Sequence, residues 1–292
     1  MHDPTPLCVP DGASLLHRPD RPLLMAVLNV TPDSFSDGGR YITPEAALAQ
    51  GRRLAAEGAD ILDIGGESTR PGAEPVPEAE EIARVVPVIR ALAAELSIPI
   101  SIDTFKAATA EAALEAGARI VNDVWGFQRE TRIAEVAARA GAHAVLMHNR
   151  PHDAPPCGDI EDEIRAFLSR SLEIAEAAGV PRSRLALDPG VGFGKSMAQN
   201  AALCADPGFL RRAFGLPVLI GASRKRLIAS LIGDAGKDRD AGTLALHAIA
   251  AMEGADVIRA HDAAAHADAM RVAAGLRAAR AAGIGAAPGS AP

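Results

Sequence analysis

The segment Glu57-Gly58-Ala59-Asp60-Ile61-Leu62-Asp63-Ile64-Gly65 joins the end of one amphipathic run to a short apolar one. Gly58 stands where a helix C-cap would, because glycine adopts the left-handed backbone that ends a helix at no steric cost. The run from Ile61 is apolar without strict alternation, as a strand buried on both faces is. The same phrase returns three times. Glu115-Ala116-Gly117-Ala118-Arg119, Arg139-Ala140-Gly141-Ala142-His143 and Glu253-Gly254-Ala255-Asp256-Val257 each lead into another short apolar run. A junction of helix, glycine and strand that recurs along a chain reports a geometry that recurs.

Working outward from these junctions, eight candidate strands read 24–29, 61–65, 98–103, 119–123, 144–148, 185–188, 218–221 and 257–261. Between them lie Ala-rich helical patterns at about 43–57, 79–95, 106–116, 132–140, 159–178, 199–214, 243–254 and 262–281. Thr43 before Pro44 reads as an N-cap with proline at the first helical position. Eight strand–helix units predict an α/β fold, a single-domain (β/α)8 or TIM barrel, over residues 21–282. Residues 1–20 read as an N-terminal extension and 283–292 as a flexible tail rich in Gly, Ala, Pro and Ser. A doubly wound Rossmann sheet is the structural rival, but no GxGxxG follows the first strand.

The totals agree with one large domain: 292 residues, of which 48% are hydrophobic. The formal net charge of -7 argues against a nucleic-acid partner, which calls for a basic surface. Cys8, Cys157 and Cys204 are isolated, which disfavours a disulfide framework and a cysteine zinc site. The chain shows neither a secretory signal nor an apolar run of membrane-spanning length, so the expectation is a cytoplasmic protein with no membrane partner.

In a parallel barrel the strand C-termini meet at one mouth, where ligands bind. Here polar residues close almost every strand: Asn29, Asp63, Asp103, Asn122 with Asp123, His148, Asp188, then Ser223 and Lys225 past the seventh, and Arg259 with His261. One polar strand end is ordinary, but a full ring implies a polar ligand. Asp103 or Asp188 could accept two N–H bonds from an aminopyrimidine edge, with Asn122 and Lys225 meeting other ring atoms. Adjacent carboxylates could instead serve acid–base work. Arg259 and His261, two apart on one strand face, would suit a metal-complexed diphosphate; a simpler reading pairs Arg259 with Asp262 or Asp256. Two long polar loops, from Asn29 to Gly39 and from Gly65 to Gly72, are of the kind that closes over a reactive intermediate.

Asp188-Pro189-Gly190-Val191-Gly192-Phe193-Gly194-Lys195-Ser196 invites comparison with a phosphate-binding GxxxxGK[ST] loop. Pro189 occupies the place of the first glycine, so the spacing fails. The loop reads as a glycine-rich turn that sends Asp188 and Phe193 toward a ligand, with a structural role for Lys195.

From about Leu24 to Ala281 the chain resembles dihydropteroate synthases. The resemblance is carried by the stretches Met25 to Gly39, Asp63 to Gly72, Ile102 to Thr104, Val121 to Asp123, Leu187 to Lys195, Gly221 to Lys225 and Arg259 to His261. It implies a transferase of folate (tetrahydrofolate) biosynthesis and a sulfonamide target. The implied reaction is a Mg2+-dependent condensation of 6-hydroxymethyl-7,8-dihydropterin diphosphate with 4-aminobenzoate, giving 7,8-dihydropteroate and diphosphate. The residues matching the family's pterin pocket are Asp103, Asn122, Asp188 and Lys225. Thr69, Pro71, Phe193 and Lys225 match the aminobenzoate side. Asn29, Arg70, Arg259 and His261 match the diphosphate grip, with Asn29 on the magnesium. Asp33 matches a first-loop aspartate of the closed complex. The resemblance thus gives catalytic parts to Asp103, Lys225, Arg259, His261, Asp33 and Arg70, with Mg2+ as cofactor and a homodimer as assembly. Asn149 departs from the pattern, standing where many relatives carry methionine, and the segment from Pro151 to Gly158 is atypical. A corrinoid methyltransferase could share the Asp/Asn pocket, but would not need Arg70, Lys225 and the Arg259/His261 pair. A non-catalytic pterin-binding paralogue would not need closing loops.

Overall fold

The strands form one parallel sheet because each is apolar on both faces and is followed by a helix that returns the chain to its starting end. The computed structural model describes residues 14–31, 43–68, 73–151 and 158–283. The strands are β1 (Leu23–Asn29), β2 (Ile61–Gly65), β3 (Ile100–Asp103), β4 (Ile120–Asp123), β5 (His143–Met147), β6 (Leu185–Asp188), β7 (Leu219–Ile220) and β8 (Val257–Ala260). Their order is β6-β5-β4-β3-β2-β1-β8-β7. The two end strands meet through a parallel bridge between Leu187 and Val218, and Leu187 donates its N–H to Pro217 at 2.9 Å. That seam closes the sheet into a (β/α)8 barrel.

The helices are α1 (Pro44–Ala56), α2 (Glu78–Glu95), α3 (Ala107–Glu115), α4 (Arg132–Arg139), α5 (Ile160–Ala177), α6 (Met197–Ala205), α7 (Gly208–Phe214), α8 (Arg226–Ile232), α9 (Asp240–Met252) and α10 (Ala263–Ala282). Thr43 caps α1 as expected, accepting from the N–H of Ala46 with Pro44 in the first turn. The expected helix over 199–214 is two helices. Pro207 has no N–H to donate and crowds Asp206 out of the helical region, where it sits at φ -135 and ψ 68. The basic stretch Gly221 to Arg226 reads in sequence as the start of a helix, and a short one, α8, follows β7 there. Among the described residues no helix is long and apolar enough to cross a membrane.

The core has two parts. Leu24, Leu62, Ile102, Leu146 and Ile258 face outward into the layer between strands and helices. Met25, Ile61, Ile120, Val145, Ala186, Leu219 and Val257 fill the barrel interior, and Leu16 joins them fully buried. The inner cluster is small, so the barrel's other end is left to polar side chains.

Candidate functional site

Parity decides which strand-end residues reach the mouth, because successive side chains on a strand point to opposite faces. Residues an even number of places from the inner cluster point inward. That set contains Asn29, Asp63, Asn122, Asp188, Arg259 and His261. On β3, Ser101 lies beside Ile120 in the ladder, which turns Asp103 inward too. Asn29, Gly65, Asp103 and Asn122 are partners in successive ladders and so form one level at the rim.

Asp123 and His148 belong to the other face. The Asp123 carboxylate accepts the N–H groups of Trp125 and Phe127, both at 2.8 Å, and shapes its own loop. Burial nevertheless pushes its acid up to about 7. The His148 ring meets Phe167 of α5 edge-on, with centroids 4.9 Å apart. Burial, together with the charges of Lys195 and Arg150, holds this imidazole down to about 3, so it is neutral. Strand-end position alone groups these two with the site; the alternation of the strands removes them.

The centre of the mouth is a charge cluster around Arg259. Its Nε donates to Asp63 at 2.6 Å and its Nη2 to Asp103 at 2.7 Å. Neither Asp256 nor Asp262 is its partner. Asn122 donates its amide N–H to Asp63 at 3.0 Å. One guanidinium thus serves two carboxylates, leaving Nη1 uncommitted. Asp63 Oδ1 and Asp103 Oδ1 are buried and accept no hydrogen bond. A buried acceptor without a donor is rare, and at a mouth it is a place for a ligand's N–H. Burial drives the Asp103 acid up to about 7; the Arg259 charge opposes this and the neighbouring carboxylates add to it. Burial also raises the Asp188 acid, against the pull of Lys225.

The loop after β6 carries the second half of the site. Asp188 Oδ1 accepts from Gly190 N–H at 2.6 Å, which turns the chain sharply. Gly190 has φ +70, and a Cβ there would collide with the carbonyl oxygen of His148. Asn200 gathers the loop, accepting from Gly192 N–H at 2.6 Å and donating to Lys195 and Ser196 carbonyls. Ser196 then starts α6 with a capping box to Gln199. Lys195 donates to the carbonyls of Gly190 at 2.8 Å and Phe193 at 3.1 Å, the structural role its failed phosphate-loop spacing implied. Lys225 crosses from the far side of the seam. Its stem passes over Gly192, its ammonium lies 4.7 Å from the Phe193 ring centroid, and it donates to the Val191 carbonyl. Burial lowers Lys225 to about 8, with Asp188 opposing, so at neutral pH it remains mostly charged.

Beside this centre, Asn29 and His261 line a cavity of about 250 Å³ with Gln50, Arg53, Arg224 and Asp262. Ser223 shares a 2.9 Å hydrogen bond with His261 Nδ1 and accepts its backbone N–H at 3.3 Å. The lining is rich in donors, although Arg53 is paired with Glu57 and Arg224 with Asp240. Such a lining does not suit the resident Mg2+ expected at Asn29, and that expectation is corrected. Asn29 offers one neutral amide, and among the described residues no group of three or more His, Cys, Asp or Glu side chains is placed to hold a metal ion. Two of the three inward carboxylates, Asp63 and Asp103, already share Arg259 as their cation.

Asp33, Thr69, Arg70 and Pro71 lie outside the described residues. The second loop is anchored just before them, where Lys106 holds Glu67 at 2.5 Å and the buried Glu81 at 2.7 Å. The sequence reading counted Asp63 among the polar strand ends but gave it no binding role, although its parity with Ile61 was available. Arg224 stood in the basic stretch Gly221 to Lys225 without being given a role, and Arg53 carried no comparable signal, because its approach to Asn29 depends on how α1 packs.

The pterin-binding enzyme family matches residues 25–261. The dihydropteroate synthase of Bacillus subtilis (strain 168) is 43% identical over 249 residues, covering 85% of this chain and 86% of that one. The solved structure of Xanthomonas albilineans dihydropteroate synthase with 4-aminobenzoic acid superposes with a TM-score of 0.83 at 48% identity, covering 89% and 94% of the two chains. The same organism's enzyme in complex with 7,8-dihydropteroate superposes with a TM-score of 0.80 at 45% identity, covering 89% and 95%.

Proposed function

The chain belongs to the pterin-binding enzymes as a dihydropteroate synthase that condenses a pterin diphosphate with 4-aminobenzoate to give dihydropteroate, and from that premise we propose how its residues divide the work. The pterin ring lies against Asp103, Asn122, Asp188 and Lys225. The carrying observation is Asp103 Oδ1, a buried acceptor with no donor, set among a second carboxylate, an amide and an ammonium. Ring N–H groups of an aminopyrimidine supply the missing donors.

The pterin methylene loses its C–O bond to diphosphate, leaving a cation, and the aniline nitrogen then forms the C–N bond and releases its proton to the departed diphosphate. The neutral aromatic amine is nucleophile enough without a dedicated base. The departing oxygens meet His261, Asn29 and the uncommitted Nη1 of Arg259, donors fixed before charge develops. Asp103 faces the ring into which positive charge spreads. Phe193 and the Lys225 ammonium above it form the aminobenzoate side, where sulfonamides compete. Arg70, Thr69, Pro71 and Asp33 complete the site from the two loops, excluding water that would capture the cation.

With folded protein and 6-hydroxymethyl-7,8-dihydropterin diphosphate, diphosphate is expected to appear only when an arylamine is added, with dihydropteroate formed in equal amount. Release without arylamine, or no dihydropteroate, defeats this division of labour.

The cytoplasmic assignment is retained as part of this reading, supported by cysteines that are isolated in sequence. So is the division into an extension (1–20), the barrel and a tail (283–292). A homodimer is also part of it, supported by apolar side chains left exposed on adjacent helices: Leu231 of α8, Ile249 of α9, and Val272 and Leu276 of α10. Light scattering should give twice the 30.1 kDa chain mass, and Ile249→Glu should halve it. A monomeric parent protein would remove the dimer from the reading.

A further inference from the structure

Behind the site, in the helix layer, lie two buried histidines that the chemistry above does not use. Ala222 donates its N–H to His247 Nε2 at 3.1 Å. His247 Nδ1 meets His266 Nε2 at 2.9 Å, and His266 Nδ1 meets the carbonyl oxygen of Asp262 at 2.7 Å. A backbone N–H can only donate and a backbone carbonyl can only accept. The two ends of the row therefore fix everything between them. His247 Nε2 accepts, so its proton sits on Nδ1; His266 Nε2 accepts that proton's bond, so its own proton sits on Nδ1 and reaches Asp262. Both rings are neutral, each in a single tautomer, and every bond runs the same way. An added proton on either ring would set two donors against each other.

What the row connects gives it a use. Ala222 precedes Ser223 and Lys225 in the loop after β7, and Asp262 follows His261 at the end of β8. Those loops already touch at the front of the site, through Ser223 and His261. The histidine row is a second tie at the back, through α9 and α10, with Ala222 and His247 wholly buried. Thr243, one turn before His247, accepts the N–H of Arg224, which sits at φ +59 where side chains are rarely held. Helix α9 thus grips both backbone positions that flank Ser223, the second of which directly precedes Lys225.

We infer that His247 and His266 are positioning residues, whose one-way row of hydrogen bonds fixes the Ser223–Lys225 segment against His261 and so aligns the substrate-facing ammonium with the leaving-group side of the mouth. Burial holds both imidazoles below their usual range, consistent with rings that stay neutral. This rests on the reading that Lys225 contacts substrate.

The test combines a spectrum with kinetics on the full chain. Long-range 15N–1H correlation spectra at neutral pH should show both imidazoles uncharged with the proton on Nδ1. His247→Leu keeps the ring's bulk but breaks both of its bonds; kcat per folded site should fall tenfold or more, the scale of a misplaced reacting group. His247→Gln restores an acceptor for Ala222 N–H and should recover to within about threefold, as expected for one replaced bond. Should His247→Leu not fold, His266→Gln takes its place: it accepts from His247 but loses Asp262. Parental kcat in the folded variant, or either ring charged or carrying its proton on Nε2, overturns the inference. Lys225→Met separates the two failures. If it too keeps full activity, the site reading falls; if it loses activity while His247→Leu does not, the positioning role falls.

Discussion

Replacing Asp103 by alanine is expected to raise the KM for the pterin diphosphate tenfold or more and to cut kcat/KM by about 10²-fold, without loss of stability. The activity loss follows from the bond it removes. A hydrogen bond to a charged acceptor is worth about 1.5–3 kcal/mol, which is roughly 10- to 150-fold. The unchanged stability follows from the cluster. Arg259 keeps Asp63 as partner at 2.6 Å, so no buried cation is orphaned. The parent also bears a cost that the variant escapes, because the Asp103 acid is raised to about 7 chiefly by burial. A raised acid favours the folded state fully only below its unfolded value near 4, and that contribution is lost as pH rises through 7. Ligand N–H donors prefer the ionised carboxylate, so pterin affinity in the parent should strengthen between about pH 6 and pH 8. In Asp103→Ala that limb should vanish. Steady-state kinetics, titration calorimetry across this range and thermal melts of both proteins read the activity, the pH limb and the stability. A variant with parental KM, or one that keeps the limb, would remove Asp103 from the pterin pocket.

Arg259→Met should do the opposite: unfold the protein before its chemistry can be blamed. The side chain is of similar length but leaves Asp63, fully buried, and Asp103 without their shared cation. Breaking a buried pair from one side costs about 3–5 kcal/mol, because the charge left behind stays desolvated. In a domain of this size that is on the order of 10 °C in Tm. The sign of the pH dependence is diagnostic. Buried carboxylates with no cation hold their protons, which stabilises the fold at low pH and is lost as pH rises. The deficit against the parent should therefore be smaller at pH 5 than at pH 8. Turnover of whatever remains folded should fall at least 10²-fold, the scale of a lost charge-stabilising donor. A Tm within 2 °C of the parent at pH 8, or a deficit flat with pH, contradicts this account of the cluster.

These two residues show where sequence suffices and where it does not. Asp103 and Arg259 were both legible as strand-end polar groups, since βα units and their junctions can be counted along the chain. Their joining could not be read, because 156 positions separate them and only the closed barrel brings them to 2.7 Å. Asp63 was counted in the ring of polar strand ends but given no binding role, for a related reason: it lies inside β2, not at its end, and the alternation that turns it inward is masked in a strand apolar on both faces. The break at Pro207 was legible and missed, as periodicity ran on across it. Helix α8 was legible at its start, the basic stretch Gly221 to Arg226 after the seventh strand, but seven residues give too short a pattern to mark its extent. The magnesium expectation, raised by the Arg259 and His261 pair and given its place at Asn29 by the resemblance, did not survive the lining of the cavity there.

The seam between β6 and β7 carries a consequence for motion. Seven of the eight junctions in the barrel are ladders of at least two paired residues, whereas this one is a single bridge from Leu187 to Val218. Few hydrogen bonds must break to part it, which places it at the low end of local opening free energies. Asp188 stands on one bank and Lys225 on the other, joined over the gap by the ammonium on the Val191 carbonyl. A breath at the seam therefore widens the substrate pocket and little else, so that entry of a flat ring and exit of a longer product need not disturb the rest of the wall.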